Sequence, residues 1–197
     1  MTLLERRPAE TPRDPVLETD RLILRAPRLA DAKAVATLVN DRRIAENTAR
    51  IPHPYTLADA KDYVTAVNAS ATETAFAITL ARGRLIGLCN VDCRRGEDPE
   101  IGYWLGAPHW GQGYATEAVR ALIDHAFTAL ALERLEAGAR ISNPASRRVL
   151  EKCGFQWTGV ILTRIRAIAS SAPIDRFRLD RRLWASLKSW GGVTHVA

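Results

Sequence analysis

Apolar positions along this chain recur at two spacings, and the switches between them mark out its elements. Residues 21–26, RLILRA, alternate and predict a strand. From Asp31 to Asn40 the apolar positions Ala34, Val35, Leu38 and Val39 fall at helical spacing, with Asp31 placed to cap or charge the first turn. The segment IPHPY at 51–55 breaks the pattern, and a second helix is predicted over 57–68. Three strands follow, at 73–81, 85–92 and 100–105. The turn signals between them, Arg82-Gly83 and RRGEDP at 94–99, have hairpin-like spacing, so an antiparallel meander is expected.

The period then changes. Ala115, Ala118, Val119, Leu122, Ile123, Ala126, Phe127 and Leu130 share one stripe, which predicts a helix over 113–130 with one buried face. RLEAGARI at 134–141 alternates again and predicts a strand. A helix over 142–152 is expected next, with Ser142 or Asn143 as N-cap, Pro144 in the first turn and Gly154 as its stop. Segments 155–165 and 175–184 are the last two predicted strands. The strand–helix–strand step from 100 to 141 needs a crossover, so one parallel pair is expected within an otherwise antiparallel sheet.

Length and composition narrow the class. With 197 residues, 47% of them hydrophobic, one domain with a substantial core is expected. It is placed at 16–190, between a flexible tail at 1–15 and a short tail at 191–197. No apolar h-region follows Met1, and no apolar run approaches the ~20 residues needed to span a bilayer, so neither a secretory signal nor a membrane partner is expected. Cys89, Cys93 and Cys153 are too few for a disulfide framework. Strand residues four apart sit about 13 Å from each other, beyond the ~7 Å that a disulfide tolerates, so Cys89 and Cys93 form neither a bridge nor half a zinc site. No metal and a reducing, cytoplasmic setting are the expectations. The net charge of +6 is spread over arginine pairs rather than tracts, and no nucleic-acid motif accompanies it, so no nucleic-acid partner is expected.

One stretch bears directly on chemistry. HWGQGYATEA, residues 109–118, puts Gly111 and Gly113 at the mouth of the long amphipathic helix. A helix N-terminus has unpaired N–H groups and partial positive charge, and glycine lets a ligand approach that backbone closely, which suits phosphate. A Walker A loop is excluded because no lysine follows Gly113 before Lys152. A dinucleotide fingerprint fits poorly, since Thr116 stands where its third glycine belongs and the strand ends several residues too early, with Ala107-Pro108-His109-Trp110 intervening. A pyrophosphate held by backbone amides, as in coenzyme A, and a plain glycine turn that binds nothing both remain open from the turn alone.

Longer motifs resolve that choice. PEIGYWLGAPHWGQGYATEAV at 99–119, followed by NPASRRVLEKCGF at 143–155, closely resembles the GNAT superfamily of acetyl-CoA-dependent N-acetyltransferases, and within it the RimJ/RimL-like branch that acetylates ribosomal-protein amino termini. LETDRLILR at 17–25 and DRFRLDRRLW at 175–184 are similar to that branch's opening and closing strands, so the resemblance spans about residues 16–187. It implies an α/β GNAT fold: a mostly antiparallel mixed sheet of about seven strands with a parallel splayed pair, flanked by about four helices. It implies acetyl-CoA as co-substrate, with main-chain groups of Tyr103, Trp104 and Leu105 free for the pantetheine arm. The pyrophosphate loop aligns as Trp110-Gly111-Gln112-Gly113-Tyr114-Ala115, with Thr116 adding a hydroxyl. Asn143 corresponds to an asparagine that bonds the pantetheine arm, and Ser146 to a serine near the cofactor sulfur. Arg147, Arg148 and Lys152 are placed to meet the adenosine phosphates.

The reaction implied is direct acetyl transfer to a primary amine, a protein N-terminal α-amine or a small amine, in a ternary complex. The acceptor pocket is expected from 42–55 and 161–174, and a homodimer is left open. Two departures stand out. The superfamily's tyrosine acid falls at Leu150, and no carboxylate occurs in 155–172, where relatives carry a glutamate base. Ser146 is therefore the candidate donor to sulfur, and Glu100 the first candidate base, followed by Asp92 and His109. The same departures keep open a non-catalytic acyl-CoA-binding or regulatory module on this fold.

Overall fold

The computed structural model describes residues 15–94 and 98–191. The expected tails, and part of the 94–99 turn, lie outside the described residues. In chain order the elements are β1 (Leu17–Glu18), β2 (Leu22–Arg25), α1 (Ala32–Val39), α2 (Arg42–Ala45), α3 (Leu57–Asn68), β3 (Glu73–Leu80), β4 (Leu85–Asp92), β5 (Glu100–Leu105), α4 (Tyr114–Thr128), β6 (Arg134–Arg140), α5 (Pro144–Lys152), β7 (Gln156–Ile165), β8 (Ser170–Asp180) and α6 (Arg181–Gly191). Eight strands form one sheet in the order β1-β2-β3-β4-β5-β6-β8-β7. Every neighbouring pair is antiparallel except β5 with β6, which are parallel as the crossover requires.

Period-2 alternation sends apolar side chains to both faces of this sheet. On one face Leu24, Phe76, Ile78, Val91 and Ile101 meet the α4 stripe of Ala118, Val119, Leu122, Ile123 and Phe127, together with Leu150 from α5. On the other, Ala77 and Leu88 meet Val35 and Val39 of α1 and Ala60 of α3. Removing each large side chain from water contributes roughly 1.5–3 kcal/mol, which fixes the helices against the sheet from both sides.

Three details depart from the sequence reading. The closing strand was expected to run to 184, but it ends at Asp180 and the chain turns into α6. RRLWASLKSW carries Leu183, Trp184 and Leu187 at helical spacing, and Trp184 docks against Phe127 with ring centroids 5.2 Å apart while its indole donates to Asp124 Oδ1 at 2.8 Å. Arg181 starts the helix by donating through Nε to the Leu132 carbonyl at 2.9 Å. The same strand begins earlier than expected, at Ser170, and includes Pro173. The Pro173 carbonyl accepts from Ile141 N–H at 3.3 Å, just past the last β6 residue, so the missing N–H of proline falls where the ladder has ended. Finally, Asp31 stands at the N-cap of α1 as expected, but its carboxylate turns back along the chain, accepting from Arg28 N–H at 2.8 Å and from both Arg25 Nη atoms at 2.7 and 2.8 Å. It thereby closes the 3-10 turn Leu29–Asp31 that leads into α1.

The feature that positions the site is a fork in the sheet. β5 pairs with β6 only at Glu100–Glu136 and Ile101–Ala137. β5 nevertheless stays on β4 as far as Leu105, and β6 stays on β8 as far as Arg140. The two strands therefore separate beyond Ile101 and leave a V whose facing edges are unpaired.

Candidate functional site

Strand alternation decides which main-chain groups line the V. Glu136 N–H donates to the Pro99 carbonyl at 2.7 Å across the parallel pair, while Gly106 N–H donates to Ile86 on the β4 side. Odd residues of β5 thus turn their main chain toward β6, and even residues turn theirs toward β4. Tyr103 and Leu105 offer groups to the V. Trp104 does not: its main chain faces β4, which corrects the expectation that all three would contribute. The Leu105 carbonyl is already taken, because Trp110 Nε1 donates to it at 2.7 Å. Trp110 is thereby a brace under the loop rather than a free contact, with Arg43 over its exposed ring at 5.1 Å.

At the open end of the V stands the N-terminus of α4. Gly111 and Gly113 hold φ of +73° and +80°, the left-handed region that glycine enters without penalty. Gly113 is the N-cap and has no side chain to close the helix. The first paired amide is Glu117 N–H, on the Gly113 carbonyl at 3.1 Å. Among the described residues, no protein atom accepts from the N–H groups of Gly111 through Thr116. Those amides lie at the positive end of the helix dipole, a cradle of the kind that suits an anion. The Gln112 side chain turns away, its Nε2 donating to the Pro108 carbonyl at 3.0 Å, so only the main chain of that residue is available for this role.

The cradle is held from beneath. Glu117, in the first turn of α4, accepts from Thr19 Oγ1 at 2.6 Å, from Arg21 N–H at 2.9 Å and from Arg21 Nε at 2.7 Å. Burial alone would raise its pKa, but these bonds outweigh it and hold the carboxyl below its ordinary range. Arg21 Nη1 then reaches the Gln112 carbonyl at 3.0 Å, and the guanidinium lies 4.6 Å from the centre of the Tyr114 ring. The short β1–β2 hairpin therefore fixes the glycine loop, a link of more than ninety residues in sequence that no local motif announces.

On the far side of the V, α5 begins as its sequence prescribes. Asn143 caps it, Oδ1 accepting from Ser146 N–H at 3.2 Å, with Pro144 at the first position. Gly154 closes it at φ +92°. Ser146 Oγ lies 2.8 Å from the Tyr103 hydroxyl. Burial pushes the Tyr103 phenol up, with the Ser146 hydrogen bond opposing in part, so the phenol stays protonated at neutral pH. Leu150, where the superfamily carries a tyrosine, is wholly buried in the core. The hydroxyl pair was not expected from the sequence.

A single cleft of about 1660 Å³ runs through the fork. Glu100, Tyr103, Trp104, Leu105, Gly111, Gly113, Tyr114, Ala115, Thr116, Asn143 and Ser146 all line it, as do Arg148 and Lys152; of the expected site residues Gln112 and Arg147 do not, and Arg147 pairs instead with Glu151 at 2.9 Å and Asp175 at 3.3 Å. The cleft continues over the other sheet face, between the α1–α3 segment and the β7–β8 hairpin, where the acceptor regions 42–55 and 161–174 were expected. Glu100 sits there 48% exposed, its Oε1 accepting from Arg176 Nη1 at 2.9 Å. Asp92 is held by Arg50 at 3.2 Å and Arg94 at 2.8 Å. His109 is buried on the 3-10 turn Ala107–His109; burial, and then Arg84, lower its pKa and keep the imidazole neutral. A further carboxylate escaped the sequence reading: Glu73, at the head of β3, accepts from buried Asn90 Nδ2 at 2.8 Å in the same cleft. Gly102 lies opposite Asn90, and a Cβ there would fall 2.6 Å from Asn90 Oδ1, so a side chain at this position of β5 would displace the Asn90 amide. Among the described residues no cluster of three or more His, Cys, Asp or Glu is arranged to hold a metal.

Comparison with known proteins gives this geometry a family. The description "Acetyltransferase (GNAT) domain" matches residues 21–156. The chain belongs to the GNAT acetyltransferases. It is 32% identical over 176 residues to an uncharacterized N-acetyltransferase of Bacillus licheniformis, covering 86% of this chain and 98% of that one. It is 40% identical over 62 residues to the ribosomal-protein-serine acetyltransferase of Escherichia coli, covering 32% of this chain and 35% of the relative. Among solved structures, Mycobacterium smegmatis RimJ in complex with CoA-disulfide matches with a TM-score of 0.74 at 22% identity, over 86% of this GNAT chain and 89% of RimJ. These relatives agree with the RimJ/RimL-like character of the motifs, and the fork, glycine loop and α5 cap are the parts of this GNAT fold that its own residues build.

Proposed function

We propose that this acetyltransferase moves an acetyl group from acetyl-CoA directly to a primary amine, with both substrates bound in the one cleft. The observation that carries the reading is the run of amides from Gly111 to Thr116 that the protein leaves unpaired at the head of α4, beside unpaired strand edges. A diphosphate supplies the acceptors those amides lack, and an extended amide-bearing arm supplies partners for Tyr103 and Leu105. When bound, acetyl-CoA supplies the activated acetyl group. The chain's residues do the rest. Gly111–Thr116 hold the phosphates; Tyr103 and Leu105 main-chain groups and Asn143 orient the arm; Ser146 donates to the departing sulfur; free main-chain N–H groups of the V stabilise the negative charge that develops on the carbonyl oxygen.

Glu100 is the proposed route for the amine proton, through its unengaged oxygen and a bridging water. A base already bonded to an arginine is a modest one, and that bears on the acceptor. An α-amine has a pKa near 7.7–8.0 and a lysine amine one near 10.4, so deprotonating lysine at neutral pH costs roughly 3–4 kcal/mol more. The acceptor is accordingly an α-amine, on a protein N-terminus or an amino-acid-like molecule. Three free cysteines are consistent with a reducing cytoplasm as the setting.

A thiol-release assay with acetyl-CoA and matched α-amine and ε-amine peptides tests this. Turnover favouring the α-amine is expected, and a faster lysine peptide would overturn the acceptor assignment. The competing reading, a non-catalytic acyl-CoA-binding module, draws on the buried Leu150 and the lack of a carboxylate in 155–172. It predicts acetyl-CoA binding with no thiol release across the whole amine panel.

A further inference from the structure

Tyr103 occupies two places in the fork at once. Its main chain lies on the free edge of the V, while its side chain crosses to the opposite strand's helix and reaches the first turn of α5. There the phenol oxygen lies 2.8 Å from Ser146 Oγ and 3.2 Å from the Ser146 carbonyl. The Ser146 main chain is fixed independently, because its N–H donates to the Asn143 cap. The serine hydroxyl is thus the one part of that residue still free to rotate, and Tyr103 is the group that stops it.

The direction of the bond follows from acidity. A phenol, with an ordinary pKa near 10, is a stronger hydrogen-bond donor than an aliphatic hydroxyl. Tyr103 O–H faces two acceptors on one residue, the Ser146 carbonyl at 3.2 Å, to which it donates, and Ser146 Oγ at the shorter 2.8 Å, and a phenol hydrogen shared between them leaves the serine hydrogen free. A hydroxyl oxygen that accepts one bond keeps its own hydrogen for another partner. Ser146 lines the cleft, so that hydrogen is available to a group bound there.

We propose that Tyr103 is a positioning residue that fixes and polarises the Ser146 hydroxyl toward the sulfur of the bound coenzyme, making the thiolate a better leaving group. The proposal rests on the acetyl-CoA reading above. In the transfer the amine nitrogen forms the new C–N bond, the C–S bond breaks, and its electron pair goes to sulfur. Ser146 O–H donates to that thiolate without giving up its proton. The proton lost by the amine leaves through the Glu100 route to solvent, and the sulfur is protonated from solvent on release.

The test reads the sulfur itself and does not depend on turnover. Coenzyme A is bound to the wild type and to Y103F, S146A, S146T and Y103F/S146A, and the thiol of the bound molecule is titrated by the ultraviolet difference spectrum of its thiolate. Calorimetry on the same samples verifies that coenzyme A is bound, and a thermal melt verifies that each variant is folded. Removing one hydrogen bond to the charged form is expected to raise the bound thiol pKa by about half a unit to one unit in Y103F and by about one to two units in S146A. S146T, which keeps the hydroxyl, is expected to titrate with the wild type. The double variant is expected to match S146A, because Tyr103 acts only through the serine. A Y103F thiol that titrates with the wild type overturns the proposal, as does a double variant whose shift is the sum of the two singles. A wild type that does not bind coenzyme A overturns the functional reading and this proposal with it; one that binds but is indifferent to both substitutions overturns this proposal alone.

Discussion

Replacing Gly111 or Gly113 by alanine isolates what the glycine loop contributes. A Cβ built on Gly111 meets nothing within 4 Å, and one on Gly113 meets only Arg21 Nη2 at 3.4 Å, an ordinary contact. Steric overlap with the protein is thus absent, and the cost is conformational. Holding an L-residue in the left-handed region costs roughly 1–2 kcal/mol. That cost has two places to appear. If the free loop keeps its shape, the whole protein is destabilised by that amount. If the free loop relaxes, stability is preserved and the ligand must restore the shape on binding, which at about 1.4 kcal/mol per tenfold weakens acetyl-CoA roughly 5- to 30-fold. Either way the liganded state is less stable relative to the unfolded chain by the same sum. Gly83 is the control, since it holds φ +83° in the β3–β4 turn with nothing within 4 Å of its Cβ and lies outside the cleft. G83A is expected to lower stability only. Chemical denaturation and calorimetric titration on G83A, G111A and G113A measure both quantities. Wild-type stability together with wild-type acetyl-CoA affinity in both loop variants would refute the argument that this loop is built on left-handed glycines for a ligand.

Other outcomes follow from the same geometry. Glu117→Ala leaves Arg21 N–H without its acceptor, leaves Thr19 Oγ1 only the Leu22 carbonyl, and frees the guanidinium that holds the Gln112 carbonyl; a loss of about 1–3 kcal/mol in urea unfolding is expected, accompanied by weaker acetyl-CoA binding. His125 is buried in α4 against Phe76, with no partner for Nε2 among the described residues, and burial lowers its pKa. The unfolded chain then takes up this proton first, near pH 6.5. Stability is expected to fall as pH drops below about 6.5 and to fall less in H125L, whereas identical urea midpoints at pH 7.5 and 5.5 would remove the effect. Glu100→Gln keeps a bond to Arg176 but cannot take a proton, so kcat is expected to drop about 10²-fold or more with acetyl-CoA affinity unchanged. If E73Q shows the larger loss, the base is the Asn90-bound carboxylate instead.

Local signals in the sequence account for much of the fold. The α4 stripe, the Asn143-Pro144 start and Gly154 stop of α5, and the β3–β4 hairpin are all encoded within a few residues, so period and turn chemistry sufficed. The β5–β6 parallel pair followed from connectivity. What escaped were features that depend on distant partners. The charged RLDRR run reads as an alternating strand until Phe127 and Asp124 are there to receive Trp184, and only then does the segment declare itself a helix. The site divides in the same way. Gly111, Gly113 and Asn143 were legible because their backbone roles are local. The Trp110–Leu105 brace depends on how the loop folds back, the Tyr103–Ser146 pair joins residues 43 apart, and the Glu117 clamp joins residues nearly a hundred apart. The expectation that Trp104 lends main-chain groups to the V failed for a simple reason: strand parity sends adjacent residues to opposite neighbours, and a motif match carries no parity.

The account turns on whether the amides of Gly111 through Thr116 bind the diphosphate of coenzyme A. Titrating coenzyme A into isotopically labelled protein and following those six amide resonances measures it directly. The account predicts large downfield proton shifts at the loop amides, saturating at one equivalent and reproduced in part by the diphosphate-bearing nucleotide portion alone. Saturable binding that leaves all six resonances in place, or no binding at all, would contradict it.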